Sequence, residues 1–361
     1  MEASPRFCFL TERQVGIGSA AGAIEPYLRP RPDVVWTDVT YHRDGGLLER
    51  LPLKGRAAGT LRGFLQTGEA LSRGPFDALF FLTHNPAVFR QQAIGKTPTL
   101  LWTDVTPQLL DSQAADYEHP VDGSRLLAAV KRGIVERTFR RAALCVGWSE
   151  WARRSFVADY GVPEARTRVV APGIDVTRWA PGTTENRGAL PRLLFVGGNL
   201  ARKGGQLLLD VFRQHLRGRC QLDIVTRDPL EPEEGVSVHR GLNPKSPRLL
   251  ELYREATVFV LPTRADCFSI ASIEAMAVGL PVIVSGVGGI PEIVEQGESG
   301  FLIRPEDGSG LRAALEPLIA APERARSMGA RGRAIAEQRF DARRTADRMI
   351  ELLTEIARPR R

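Results

Sequence analysis

Short apolar runs alternate with longer stretches whose apolar positions recur every three or four residues, and the alternation continues along the whole chain. Runs that are short and apolar at every position fit strands buried on both faces, and the stretches between them fit the crossover helices that parallel strands require. In the first half the pattern predicts strands at 7–11, 34–39, 78–83, 99–104 and 143–148, and a helix over 124–142. In the second half it predicts strands at 193–197, 222–226, 257–262 and 281–285, with helices at 205–217, 247–255 and 270–278. The closing stretch FDARRTADRMIELLTEIA predicts a helix capped by Asp341, with an apolar stripe through Ala346, Met349, Ile350, Leu353 and Ile356. The class is α/β, as two Rossmann-like, doubly wound units.

A chain of 361 residues exceeds what one hydrophobic core usually supports. Periodicity lapses near 180–191, where Pro, Gly, Thr and Asn concentrate. The boundary is therefore set there: an N-terminal domain at 1–183, a second at 184–340, and a closing helix at 341–361 with the option of packing back on the first domain. Lys and Arg total 49 against 42 Asp and Glu, a net charge of +7. That sign suits anionic ligands such as nucleotide phosphates, or an acidic membrane surface, and nothing in the pattern argues for nucleic acid. The helix over 124–142 gathers Lys131, Arg132, Arg137, Arg140 and Arg141, which leaves contact with the inner face of a membrane open. Four widely spaced cysteines form no C-x-x-C pair or zinc spacing, no secretory pattern opens the chain, and no apolar run is long enough to span a bilayer. A reduced, cytoplasmic setting is expected.

The segment with most chemical content is LPTRADCFSIASIEAMAVGLPVIVSG, 261–286. A strand delivers the chain to a loop holding Asp266, and Ser269 stands where a helix cap would satisfy free amides. A helix N-terminus carries partial positive charge and unpaired N–H groups, so a diphosphate is a natural guest. Glu274 lies about one turn into that helix, and a carboxylate can accept two hydrogen bonds from the vicinal hydroxyls of a sugar. Upstream, FVGGNLARKGG at 195–205 puts adjacent Arg202 and Lys203 at another helix start, where paired cations would stabilise charge developing on a leaving diphosphate.

These residues resemble the retaining GT-B glycosyltransferases of family 4, the glycosyl transferases group 1. The match runs through Asp266, Glu274-Ala275-Met276-Ala277, Gly279, Pro281 and Val282, and it departs from the family at Asp266-Cys267-Phe268-Ser269, where Glu followed by Gly-Phe-Gly is usual. The resemblance implies two Rossmann-like domains with an interdomain cleft and transfer of a hexose, with retention, from a nucleoside diphosphate sugar to a hydroxyl of a glycan, lipid or small molecule. It implies that Glu274 holds the ribose and Asp266 the donor hexose, that amides near Phe268, Ser269 and Ile270 meet sugar and phosphates, and that Arg202 and Lys203 clamp the diphosphate. His84, closing the strand ALFFLT, matches a histidine that faces the reacting sugar.

Gly16 and Gly18 follow the first strand. With Ala21 they satisfy G-x-G-x-x-A, and Asp38 ends the next strand, which is also the pattern of a nicotinamide enzyme. The resemblance gives both glycines a donor-binding role instead. Asp104 and Thr106, after the fourth strand, are acceptor-side candidates. No D-x-D occurs, so the expected chemistry uses no metal and no cofactor. A sugar-nucleotide epimerase or hydrolase, or a noncatalytic nucleotide-sugar-binding subunit, are the alternatives. Donor base, sugar, acceptor and linkage are not legible in the sequence.

Overall fold

The computed structural model describes residues 5–13, 16–41, 55–117, 125–182 and 190–357. The expected boundary at 183/184 lies outside the described residues. The chain forms two compact units: residues 1–112, 120–173 and 342–361, and residues 113–119 with 174–341.

The first unit holds strands β1 (Phe7–Glu12), β2 (Val34–Val39), β3 (Ala78–Leu82), β4 (Thr99–Thr103), β5 (Leu144–Gly147) and β6 (Thr167–Val169), all parallel, in the order β2-β1-β3-β4-β5-β6. β1 and β3 are buried at every position, as expected of central strands covered on both faces. Phe9 stacks on Phe80 at 4.5 Å and on Trp36 at 5.6 Å, which pins three neighbouring strands through one aromatic layer. The helix Ala342–Ile356 belongs to this unit and packs on the helix Ile17–Leu28 and on β3 and β4. It buries Ala342, Thr345, Ala346, Met349, Leu352 and Leu353, so Leu352 takes the place that the sequence stripe gave to Ile350.

The second unit holds β7 (Arg192–Val196), β8 (Gln221–Val225), β9 (Val236–His239), β10 (Val258–Leu261), β11 (Val282–Ser285) and β12 (Gly300–Ile303), again all parallel, in the order β12-β11-β10-β7-β8-β9. β7 and β10 are neighbours, so the loops that follow them emerge side by side at the carboxyl edge of the sheet, where open α/β sheets take their ligands.

Two boundaries differ from expectation. Residues 174–182 belong to the second unit because Ile174 N donates to Phe340 O at 2.8 Å, Trp179 packs edge-on against Tyr253, and Arg333 Nη1 donates to the carbonyls of Val176, Trp179 and Ala277. Residues 113–117 also join the second unit, through Asp116 and Tyr117. Among the described residues, no helix is long and apolar enough to cross a membrane.

Candidate functional site

In the second unit, β10 runs into the loop 262–269 and then into the helix Ile270–Ala277. Ser269 caps that helix: its Oγ accepts from Ser272 N at 3.2 Å and shares a hydrogen with Ser272 Oγ at 2.7 Å. The Asp266–Cys267 backbone is clamped from behind by the turn 286–289. Gly289 N donates to Cys267 O at 2.9 Å, and Gly288, at φ +55°, could carry no side chain because a Cβ would fall 2.1 Å from Asp266 O.

β7 leads into the turn that carries the two cations. Gly204 has φ +75°, and a Cβ there would fall 1.8 Å from Pro262 O, so only glycine lets this turn press against the 262–266 loop. Arg264 N then donates to Arg202 O at 2.8 Å. Lys203 Nζ reaches Asp266 Oδ2 at 2.5 Å, with the two side chains 16% and 8% exposed. Arg202 Nη1 donates to Ala265 O at 2.9 Å, and its guanidinium lies 4.3 Å from the centre of the Tyr117 ring. The two loops, 63 residues apart in sequence, thus become one cationic and carboxylate cluster beside a capped helix N-terminus.

Glu274 projects from the first turns of that helix and is 6% exposed. Tyr253 OH donates to its Oε2 at 3.1 Å, and burial pushes the carboxyl up to about 7 against the opposing influence of the Tyr253 hydrogen bond and the Arg178 charge. Tyr253 is itself fixed between Trp179, edge-on at 5.1 Å, and Phe259, stacked at 5.8 Å. Phe268 packs edge-on against Phe340, which leaves its backbone as the part able to meet a ligand.

Sequence reasoning missed Tyr117 and Tyr253. The Tyr117 hydroxyl lies 3.3 Å from Cys267 Sγ, burial holds its phenol above the usual tyrosine range, and neighbouring Asp116 pairs with Arg264 at 3.1 Å. No local motif announces either tyrosine, because each acts through a partner distant in sequence.

The first-unit candidates gather at the carboxyl ends of β1, β3 and β4, which are neighbours in the sheet. Gly16 has φ +90° with open space around it, and a Cβ on Gly18 would sit 3.2 Å from Arg13 backbone. Asp38 accepts from Arg13 Nε at 2.8 Å, from Trp36 Nε1 at 3.0 Å, from Thr11 Oγ1 at 3.0 Å and from Arg29 Nη2 at 3.0 Å. Asp38 is thus held by four donors, three of them on Oδ1, which counts against its use on a nucleotide ribose and so against the nicotinamide reading of Gly16, Gly18 and Asp38.

His84 follows Thr83, a β-branched residue at φ +69°. That conformation is costly and is held by Thr83 Oγ1 donating to Glu12 Oε2 at 2.6 Å. Glu12 is completely buried, also accepts from Tyr41 OH, and has its carboxyl raised by burial. Burial lowers His84 to about 4, so its imidazole is neutral near pH 7, and its Nδ1 is shielded with no hydrogen-bond partner among the described residues. Thr106, expected on the acceptor side, is fully buried. Its Oγ1 is 2.6 Å from Ser155 Oγ and accepts from Leu109 N, so it secures the start of the helix Pro107–Ser112 instead of facing a ligand. Asp104 remains partly exposed beside it. His239 pairs with Asp223 at 2.9 Å, a structural use.

The two parallel Rossmann-like sheets define a GT-B glycosyltransferase fold, and solved structures share it along nearly the whole chain. Sucrose-phosphate synthase from Thermosynechococcus elongatus is 18% identical with a TM-score of 0.75, covering 97% of this chain and 98% of that one. Anabaena HepE, solved in complex with UDP-glucose, is 19% identical with a TM-score of 0.73, covering 97% and 100%. Residues 190–321 match the family model described as glycosyl transferases group 1. Among curated relatives, the D-inositol 3-phosphate glycosyltransferase of Thermobifida fusca is 30% identical over 251 residues, covering 62% of this chain and 55% of its own length. That of Thermomonospora curvata is 28% identical over 348 residues, covering 85% and 78%. The chain spans about half the length of most of the curated relatives it matches.

Proposed function

We propose that the protein is a glycosyltransferase that moves a hexose from a nucleoside diphosphate sugar to a hydroxyl acceptor with retention of anomeric configuration. The observation that carries this reading is the Lys203–Asp266 pair lying against a capped helix N-terminus, with buried Glu274 on the same helix. In this reading the diphosphate takes Lys203, Arg202 and the free amides near Ser269 and Ile270, which compensate the charge that grows on the leaving group. Asp266, relieved of part of its contact with Lys203, accepts from hexose hydroxyls. Glu274 accepts from the ribose with its Oε1 while Tyr253 holds Oε2. In the same reading His84 contacts the donor sugar as a neutral imidazole or through its backbone.

The departing diphosphate oxygen then receives the acceptor's proton on the face of attack. This dispenses with a strong protein base. The use of a uridine diphosphate sugar is a natural first trial, since HepE was solved with UDP-glucose. Proton NMR of the fresh product tests the mechanism, and an inverted anomer would remove retention while leaving the fold untouched. Thermal shift with UDP, GDP, ADP and dTDP in parallel tests the site, because a ligand that binds the native state raises its melting temperature. No stabilisation by any of them would overturn the donor reading.

A further inference from the structure

The helix Arg125–Arg141, in the first unit, carries an outward stripe that the reaction does not use. Its inward face is set by Thr138 and Phe139, both fully buried. Opposite Phe139, Leu126, Val130, Ile134, Arg137 and Arg141 follow one another at intervals of four, four, three and four residues, which places them in one line along a helix of 3.6 residues per turn. The apolar members are laid open to solvent: Leu126 is 78% exposed, Val130 51% and Ile134 43%, with Leu127 at 48% beside them. The line then turns basic through exposed Arg137 and Arg141, with Arg140 beside them and Glu136 the single acid of the helix, while Arg132 turns to the body of the unit, toward Gln108 Oε1 and the Asp159 carbonyl. A solvated helix face would place polar residues where these three aliphatic side chains stand. A core helix would bury them.

We propose that this face docks on an anionic lipid bilayer surface, with Leu126, Val130 and Ile134 entering the headgroup boundary and the arginines meeting lipid phosphates. Charge complementarity selects this occupant over a second protein copy. Arg137, Arg140 and Arg141 at one end of the line would repel the same cluster of another copy, whereas apolar residues ending in a basic cluster match an interface that is apolar below and negative above. On the helix Gly55–Ser72, Phe64 and Leu65 are also exposed, and that helix and the Arg125–Arg141 helix both pack on the turn Ala87–Arg90. The inference goes beyond the proposed transfer reaction and does not depend on it.

The experiment is co-sedimentation of the full chain with vesicles of phosphatidylcholine alone and of phosphatidylcholine and phosphatidylglycerol in equal parts. Binding is expected only to the second, and is expected to weaken steeply with added salt. The triple variant Arg137→Gln, Arg140→Gln, Arg141→Gln should lower partition by about 100-fold, since each surface cation is worth about fivefold. A second variant, Leu126→Ser, Val130→Ser, Ile134→Ser, should also release the protein while keeping the parent melting temperature, because these side chains are exposed. Equal binding to both vesicle types, indifference to either variant, or a dimer in light scattering that the serine variant abolishes would each overturn the proposal.

Discussion

Replacing Glu274 by Gln should make the protein more stable and worse at holding a nucleotide, and the two effects should separate with pH. The carboxyl is carried by burial from its ordinary 4.5 to about 7, and each tenfold change in proton affinity is worth about 1.4 kcal/mol. Ionised Glu274 therefore costs the fold about 3 kcal/mol above pH 8. The sign follows from a folded-state value above the unfolded one. Stability is fully present below about 4.5 and is lost as pH rises through about 7. A glutamine is neutral throughout and can still accept from Tyr253 OH, which now donates at 3.1 Å. Thermal denaturation at pH 8 should place Glu274→Gln roughly 6–12 °C above the parent, at about 2–4 °C per kcal/mol for a unit of this size. At pH 4.5 the two should coincide. The same variant should bind a nucleoside diphosphate roughly 30-fold more weakly, because a hydrogen bond to a charged acceptor exceeds one to a neutral acceptor by about 1 kcal/mol and two hydroxyls are involved. A variant no more stable at pH 8 relative to pH 4.5, or one whose nucleotide-induced stabilisation matches the parent, would refute the burial argument or the ribose role respectively.

Lys203→Ala leaves Asp266 in a largely buried place without its partner, so chemical denaturation should show a loss of about 3–5 kcal/mol, and UDP-type ligands should no longer raise the melting temperature. Tyr117→Phe should be nearly silent in nucleotide affinity, since the ring beneath Arg202 remains, whereas Tyr117→Ala removes a cation–π contact worth about 0.5–2 kcal/mol and should weaken binding several-fold by calorimetry. Gly288→Ala puts a Cβ at 2.1 Å from Asp266 O and should sharply destabilise the second unit, while Gly16→Ala, in open space, should cost only the roughly 1–3 kcal/mol of its positive-φ backbone; circular dichroism melts compare the two.

The legibility of the fold followed burial. Every strand covered on both faces announced itself as an apolar run, from FCFLT to PVIVS. The three strands that the pattern did not reveal, β6, β9 and β12, are all sheet edges of three or four residues. An edge strand is short and half-covered, so β6 buries Thr167 and exposes Arg168 and Val169, and no apolar run survives to be read. The helix expected over 205–217 is α-helical only to Val211 and continues as a wider π-type turn over Phe212–Leu216, a change that periodicity cannot resolve.

For the site, the sequence by itself determined the residues whose chemistry depends on their own local element. Ser269 as a cap, Glu274 one turn later, and adjacent Arg202 and Lys203 at a helix start all follow from spacing along the chain. Only the tertiary structure decided what those groups do to one another. It set Lys203 on Asp266, placed Tyr117 beneath Arg202, buried Glu274 under Tyr253 until its carboxyl resists ionisation, and turned Thr106 inward to Ser155. The physical reason is that capping and periodicity act over a turn or two of backbone, whereas desolvation and charge pairing act through space, between segments that only the folded sheet brings together.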